Sequence, residues 1–434
     1  MNTYTGATTI GAGSTLALDA TGTIADSSGV ANAGTFTIAA AKTIDSLTGA
    51  GGTTLGANTL TIGDASNTSG TYTGIASGTG GLTTAGTGTL TLGGVNTYTG
   101  ATTIGAGSTL ALDATGTIAD SSGVANAGTL SIAAAKTIDS LTGAGGTTLG
   151  ANTLTIGDAS NTSGTYTGIA SGTGGITTAG TGTLTLGGVN TYTGATTIGA
   201  GSTLALDATG TIEGSSGVAN AGTFTIAAAK TIDSMTGAGG TTLGANTLTI
   251  GDASNTSGTY TGVASGTGGI TTAGTGTLTL GGVNTYTGAT TIGAGSTLAL
   301  DATGTIADSS GVANAGTFTI AAAKTIDSLT GAGGTTSTGT LTIGDASNSS
   351  GTYTGIASGT GGITTAGTGT LTLGGVNTYT GATTIGAGST LALDATGTIA
   401  TSSGVANAGT FTIAAAKTID SMTGAGGTTL GANT

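Results

Sequence analysis

An all-β chain wound as a right-handed parallel β-helix, with about four coils per 94-residue repeat, is the fold class the sequence predicts. Three observations predict it. The chain repeats itself over a long fixed period. Short runs inside each repeat alternate between small or polar and large apolar residues. The composition is almost free of charge and aromatic rings.

The repeat comes first, because a long period decides the architecture before any local reading. Asn-Thr-Tyr-Thr-Gly-Ala-Thr-Thr-Ile-Gly-Ala-Gly starts at Asn2, Asn96, Asn190, Asn284 and Asn377, in three equal steps and a fourth that is shorter by one. The repeats are therefore 2–95, 96–189, 190–283, 284–376 and the partial 377–434, expected to form one continuous solenoid over 1–434. The short step reflects one deletion, where Leu55-Gly56-Ala57-Asn58 of the first repeat becomes Ser337-Thr338-Gly339 in the fourth. Substitutions are few: Phe36 becomes Leu130, and Ala25-Asp26 becomes Glu213-Gly214. One lysine recurs per repeat, at Lys42, Lys136, Lys230, Lys324 and Lys417. Met1 stands where Val95 stands one repeat later, and Thr434 matches Thr59, so both ends fall inside a repeat. The expectation is a piece of a longer array, with any signal, cap or anchor outside it.

Four runs carry the strand signal. They are Thr15-Leu16-Ala17-Leu18, Thr35-Phe36-Thr37-Ile38, Thr59-Leu60-Thr61-Ile62 and Thr89-Leu90-Thr91-Leu92. Each has period two, and β-branched Thr suits a strand. Gly, Asn, Asp and Ser bound each run, as turns require. The first run recurs at Thr109, so four run starts share each repeat. A quarter of a repeat is long enough for one coil of three short strands and three turns. Shorter strands are expected at Thr8-Thr9-Ile10, Thr43-Ile44, Thr53-Thr54-Leu55 and Thr71-Tyr72-Thr73. Leu16, Leu18, Phe36, Ile38, Leu60, Ile62, Leu90 and Leu92 should stack inward, each contributing roughly 1.5–3 kcal/mol. Glycines should take the left-handed corner positions. Proline would cost the ladder an N–H, which fits its absence. About 18 coils at roughly 4.8 Å would give a rod near 90 Å long.

Two other architectures compete. The length of one repeat is close to that of an immunoglobulin-like domain, so tandem β-sandwiches are an alternative. That fold wants about seven strands around an aromatic-anchored core, and the sub-repeats here are shorter. A disordered Gly/Ser/Thr linker is the other. It gives no reason for i, i+2 apolar pairs.

Composition narrows function. The 434 residues include 91 glycines and no Pro, Cys, Trp or His, with 5% charged and 3% aromatic residues. Ordinary domains carry about 25% charged residues. The net charge is −13, from 18 acids and 5 lysines. That argues against nucleic acid and anionic lipid as partners, since both need clustered Lys and Arg. Cysteine-based metal sites and disulfides are excluded. No apolar stretch approaches the roughly 20 residues of a membrane helix, so no membrane insertion of this segment is expected. No signal peptide is visible at Met1-Asn2-Thr3-Tyr4.

The segment from Gly81-Leu82-Thr83-Thr84 through Gly88-Thr89-Leu90-Thr91-Leu92, Asn96-Thr97-Tyr98 and Gly107-Ser108-Thr109-Leu110 resembles the autotransporter-associated β-strand repeat. That repeat occurs in passenger domains of bacterial autotransporters and other large surface proteins. Its pattern fixes Gly-Thr-Leu-x-Leu and Asn-Thr-Tyr at set spacing, and the match spans about a third of each repeat. Thr84 departs from the family's usual Lys and is expected to remove one surface charge. The resemblance implies a right-handed β-helix on a bacterial surface, carried out by a domain that is not part of this sequence. It implies no catalytic residues.

Candidate sites are sparse. Asp19, Asp26, Asp45 and Asp64 recur in most repeats and could hold Ca²⁺ if enough oxygens converged. The calcium β-roll nonapeptide is missing, and Asp64-Ala65-Ser66-Asn67 reads as an ordinary Asx turn. No metal and no cofactor are therefore expected. Tyr98 beside Asn96 could stack on sugar, or be a partly buried ring with its hydroxyl in water. Without His or Cys, acid–base chemistry would fall to Asp, Glu, Tyr or Lys, and any site would recur in near-equal settings. The chain is not expected to be an enzyme. Outward Thr-x-Thr rows at Thr35, Thr37, Thr59, Thr61, Thr89 and Thr91 are the candidate contact surface, for ice or polysaccharide. The expected function is an extracellular structural or adhesive stalk, with cell-surface contacts and end-to-end self-association as its partnerships.

Overall fold

The computed structural model describes residues 2–64, 69–158, 163–252, 257–345 and 350–431. Met1 and Thr434, which mark where the repeat is cut, lie outside the described residues. The chain divides into two compact units. One comprises Met1–Ser216 with Ala221–Thr223, the other Gly217–Asn220 with Phe224–Thr434. Both are all-β, without a helix among the described residues, and both wind as a right-handed parallel β-helix.

In the first unit each coil brings a strand alongside the strand one coil earlier. Thr89 pairs with Thr109, Thr109 with Thr129 and Thr129 with Gly146. Thr147 then pairs with Ala170. A second column runs Lys42, Leu60, Leu82, Thr102, Val124, Leu141. A third runs Thr15–Leu18, Thr35–Ile38, Gly52–Gly56, Ala76–Gly78, Thr97–Tyr98. The second unit repeats the scheme, for example in the column 248–250, 270–272, 290–292, 312–314. All these ladders are parallel, which an antiparallel immunoglobulin-like sandwich does not produce.

Inside, the alternation predicted from the runs holds. Leu90, Leu110 and Leu130 stack as one buried row, and Leu92, Leu112 and Ile132 as the next. Phe36, Ile38, Leu60 and Ile62 are buried likewise. Leu16 is only half-buried in the first coil, whereas its copy Leu110 is fully enclosed.

The coil count differs from the expected four. The four main runs do not correspond to four successive coils. Between Thr35–Ile38 and Leu60–Ile62 lie three strands, Lys42–Ile44, Leu47–Thr48 and Gly52–Gly56, where two would close a coil. From Leu82 to the residue before Ile176 the chain makes thirteen strands and a bridge at Thr117. At three segments per coil this is four and two-thirds coils, each shorter than a quarter of a repeat. A repeat therefore does not return to its starting face. Leu82–Thr84 stands in the column of Thr102–Ile104, while its copy Ile176–Thr178 stands in the column of Lys136–Ile138 and Leu154–Ile156. The second unit shows the same step, since Ile270–Thr272 and its copy Ile363–Thr365 occupy different columns.

Glycine has two uses. Some take the predicted left-handed turns, as Gly107 does at φ 84°. Others have ordinary φ and exist because backbone passes too close for a Cβ. A Cβ on Gly94 would collide with the carbonyl oxygen of Gly74 in the neighbouring coil. The deletion in the fourth repeat is also explained. Elsewhere a bulge lies at Gly56/Gly78 and its copies. The strand Gly334–Ser337 pairs with Ala357–Ser358 without one, so the lost residue is the one the bulge accommodated.

Replacing Leu110 by Ala should lower the local opening free energy of its coil by about 2–5 kcal/mol. Replacing exposed Val95 by Ala should change it by less than about 0.5 kcal/mol. Native-state hydrogen exchange at residues 109–112 and 129–132 measures both.

Candidate functional site

The outward threonines of these runs line separate columns and not one plane. Thr35 and Thr37 share the strand Thr35–Ile38, and Thr89 and Thr91 share Thr89–Leu92. Thr61 lies in Leu60–Ile62, with exposed Thr59 just before it. These three strands stand in three different columns. What the structure brings together instead are threonines from successive coils. Thr43, Thr61, Thr83 and Thr103 form one row. Thr71, Thr91, Ala111, Ser131 and Thr148 form another. The rows are hydroxyl- and methyl-bearing and uncharged. Gly52 follows Thr35 in a third row, which continues to Ile75 and Val95. These two side chains are 48% and 58% exposed, and their copies Ile169 and Val189 match them.

The aspartates are turn residues. Asp113 Oδ1 accepts from the Thr115 and Gly116 backbone N–H groups at 2.8 Å each and from Thr115 Oγ1 at 3.0 Å. Asp19 does the same with Thr21 and Gly22. These bonds, that from Gly116 first, hold the Asp113 carboxyl below the usual aspartate range, with Lys136 adding to the effect. Asp26 is exposed and Asp45 is buried. Asp64 is described, but Ala65-Ser66-Asn67 lie outside the described residues. Among the described residues no three His, Cys, Asp or Glu side chains converge as a metal cluster.

Two sequence expectations, on Tyr98 and Thr84, fail here for one reason: the strands at these positions turn the residue inward. Tyr98 is buried, and its hydroxyl meets Thr102 Oγ1 at 2.7 Å rather than water. Thr102 in turn contacts Ser121 Oγ at 2.9 Å. A ring so enclosed cannot stack on a sugar. Asn96 is also buried and clamps three coils. Its Oδ1 accepts from Ala76 N–H at 2.9 Å, and its Nδ2 donates to the Gly94 and Thr117 carbonyls at 2.9 and 3.1 Å. Thr84 is no surface position. It is 2% exposed and bonded to Ser108 Oγ at 2.7 Å.

The lysines went unassigned in the sequence, yet they are the least expected feature of the interior. Lys42 and Lys136 are 8% and 5% exposed. Their Nζ atoms donate to the Ala20 and Ala114 carbonyls at 3.2 and 3.1 Å. Burial lowers the Lys136 pKa, opposed by Asp113. The available signal was the triplet Lys-Thr-Ile, whose alternation puts Lys42 on the same side as buried Ile44.

Fold and surface together define a β-solenoid repeat protein with a hydrogen-bonded interior and an uncharged hydroxyl-rich exterior. The passenger-associated-transport-repeat family model matches residues 2–18, 82–112, 176–206, 270–300 and 363–393, about a third of the chain. The model matches five times, once in each repeat, in agreement with the resemblance read from Gly81 to Leu110. No curated protein and no solved structure matches it.

Buried tyrosines give a pH prediction. Burial pushes the Tyr72, Tyr166, Tyr260 and Tyr353 hydroxyls up to about 12, opposed by bonds to Thr53, Thr147, Thr241 and Thr335. An unfolded tyrosine titrates near about 10. The folded state thus keeps its protons longer, so this stability is complete below pH about 10 and is lost as pH rises towards 12. Tyrosinate absorbance should rise together with loss of the β circular-dichroism signal. A tyrosinate signal from most of the 9 tyrosines that developed near pH about 10 with the fold intact would contradict the burial.

Proposed function

We propose that the chain is a structural and adhesive rod segment of a bacterial surface protein, an extracellular passenger. The observation that carries the reading is the repeated column. In each compact unit coil hydrogen-bonds to coil through backbone, with apolar rows inside and hydroxyl-rich rows outside. Such an object resists extension and presents the same chemistry many times, so that weak contacts add by multivalency. The passenger repeat supports export to the cell exterior.

In this proposal the winding is continuous through residues 190–283, where the repeat sequence runs on with few substitutions. The mechanism is mechanical, not catalytic. Asp19 and Asp113 are occupied in turns, and Tyr72, Tyr98, Tyr166 and Tyr192 are enclosed. Cell-surface and polysaccharide partners fit the uncharged rows such as Thr43–Thr61–Thr83–Thr103. Ice binding fits less well, because the Thr-x-Thr pairs stand in different columns.

Small-angle scattering tests the proposal. About 20 coils at roughly 4.8 Å each should give a rigid rod near 100 Å long. Scattering from a flexible coil or a string of independent beads would overturn it.

A further inference from the structure

The interior rows raise a problem of winding register. Thr89–Leu92, Thr109–Leu112 and Thr129–Ile132 are nearly interchangeable in sequence, and their starts at Thr89, Thr109 and Thr129 are evenly spaced. Stacking Leu90 on Leu130, with the coil between them looped out, would satisfy the same apolar rows and the same backbone ladder. Hydrophobic burial is non-directional and does not reject that slip.

We propose that the single lysine of each repeat is a register key, a buried cation that fits only the turn one coil before it. Lys136 stands at an inward position, paired along the column with Leu154, which pairs in turn with Ile176. Its Nζ leaves that row and donates to the carbonyl of Ala114 in the preceding coil. Ala114 follows Asp113, whose carboxylate is already fixed by Thr115 and Gly116. The turn therefore offers a carbonyl and a nearby fixed negative charge. The arrangement recurs within both compact units. Buried Lys42 donates to Ala20 at 3.2 Å and buried Lys324 to Ala302 at 2.9 Å, and Lys417, only half-buried, donates to Ala395 at 2.8 Å. Asp301 and Asp394 make the same turn as Asp113.

Among the described residues one turn of this kind occurs per repeat, against four and two-thirds coils. A slip of one coil would carry the ammonium away from its turn and leave it among Leu, Ile and Thr. A buried charge without partners is far costlier than a mismatched alkyl chain. A polar group in an apolar seam that fixes register at some expense of stability is the best-attested use of such groups. The lysine discriminates between windings that the leucines treat alike. A slip by one whole repeat would present an equivalent turn and is not rejected.

The test replaces all five lysines by Met, in a background carrying Ala111→Cys and Ser131→Cys. The natural chain has no cysteine, and Ala111 and Ser131 are direct partners in the native register. Oxidation of the parent should close the disulfide nearly completely. The Met variant should keep its β circular-dichroism spectrum and lose at least two-fold in disulfide yield, as coils slip. A matching Arg variant, which keeps the charge, should crosslink like the parent. Full crosslinking in the Met variant would overturn the proposal. So would failure of the Met variant to fold, which would make the lysine a stability element. So would equal loss with Arg.

Discussion

The parallel hydrogen bond from one coil to the next is the constraint on which the rest of the structure depends. Each N–H that points along the winding must find a carbonyl on a strand about 4.8 Å away. That requirement excludes proline from the columns and favours β-branched threonine on the outer face. It also sets a limit on bulk at the corners, where backbones meet most closely. Gly74, Gly94 and Gly116 lie there without unusual φ, because a Cβ would strike a carbonyl of the adjacent coil. The abundance of glycine is thus largely a packing requirement and only partly a turn requirement.

Much of this was legible in the sequence. The runs around Leu16, Phe36, Leu60 and Leu90 are long enough to show period two, so the solenoid and its inward rows could be read directly. The columns could not. Leu47–Thr48 and Thr97–Tyr98 are too short for any periodicity, and Val30-Ala31-Asn32 hides a strand behind an inward Asn. Within the long steps, missing Leu47–Thr48 before Thr59, and Ala76–Gly78 and Leu82–Thr84 before Thr89, made each look like one coil when it is one and a third. Polarity misled as well. Thr84 read as a surface position and Tyr98 as at most partly buried, yet alternation with their neighbours places both inside, where each finds a hydrogen-bond partner across or within a coil.

Four and two-thirds coils per repeat has a consequence for display. Within each compact unit, a feature that occurs once per repeat returns on a different face. The exposed pair Ile75 and Val95 and its copies Ile169 and Val189 therefore do not line up as one apolar stripe. Scattered apolar pairs are compatible with solubility, whereas a continuous stripe invites lateral association. A partner that binds one face meets a given repeat-specific feature less often than once per repeat, while the threonine rows face it throughout.

The central claim is that strands three segments apart along the chain stand directly over one another in fixed columns. Thr83, Thr103, Ala125, Thr142, Thr165 and Thr185 make up one such column in the first compact unit. Pulsed electron–electron resonance between nitroxides at Thr83 and Thr185 tests it most directly. Five coils should separate the labels by about 24 Å with a narrow distribution. A broad distribution, or a narrow one centred far from that value, would contradict the account.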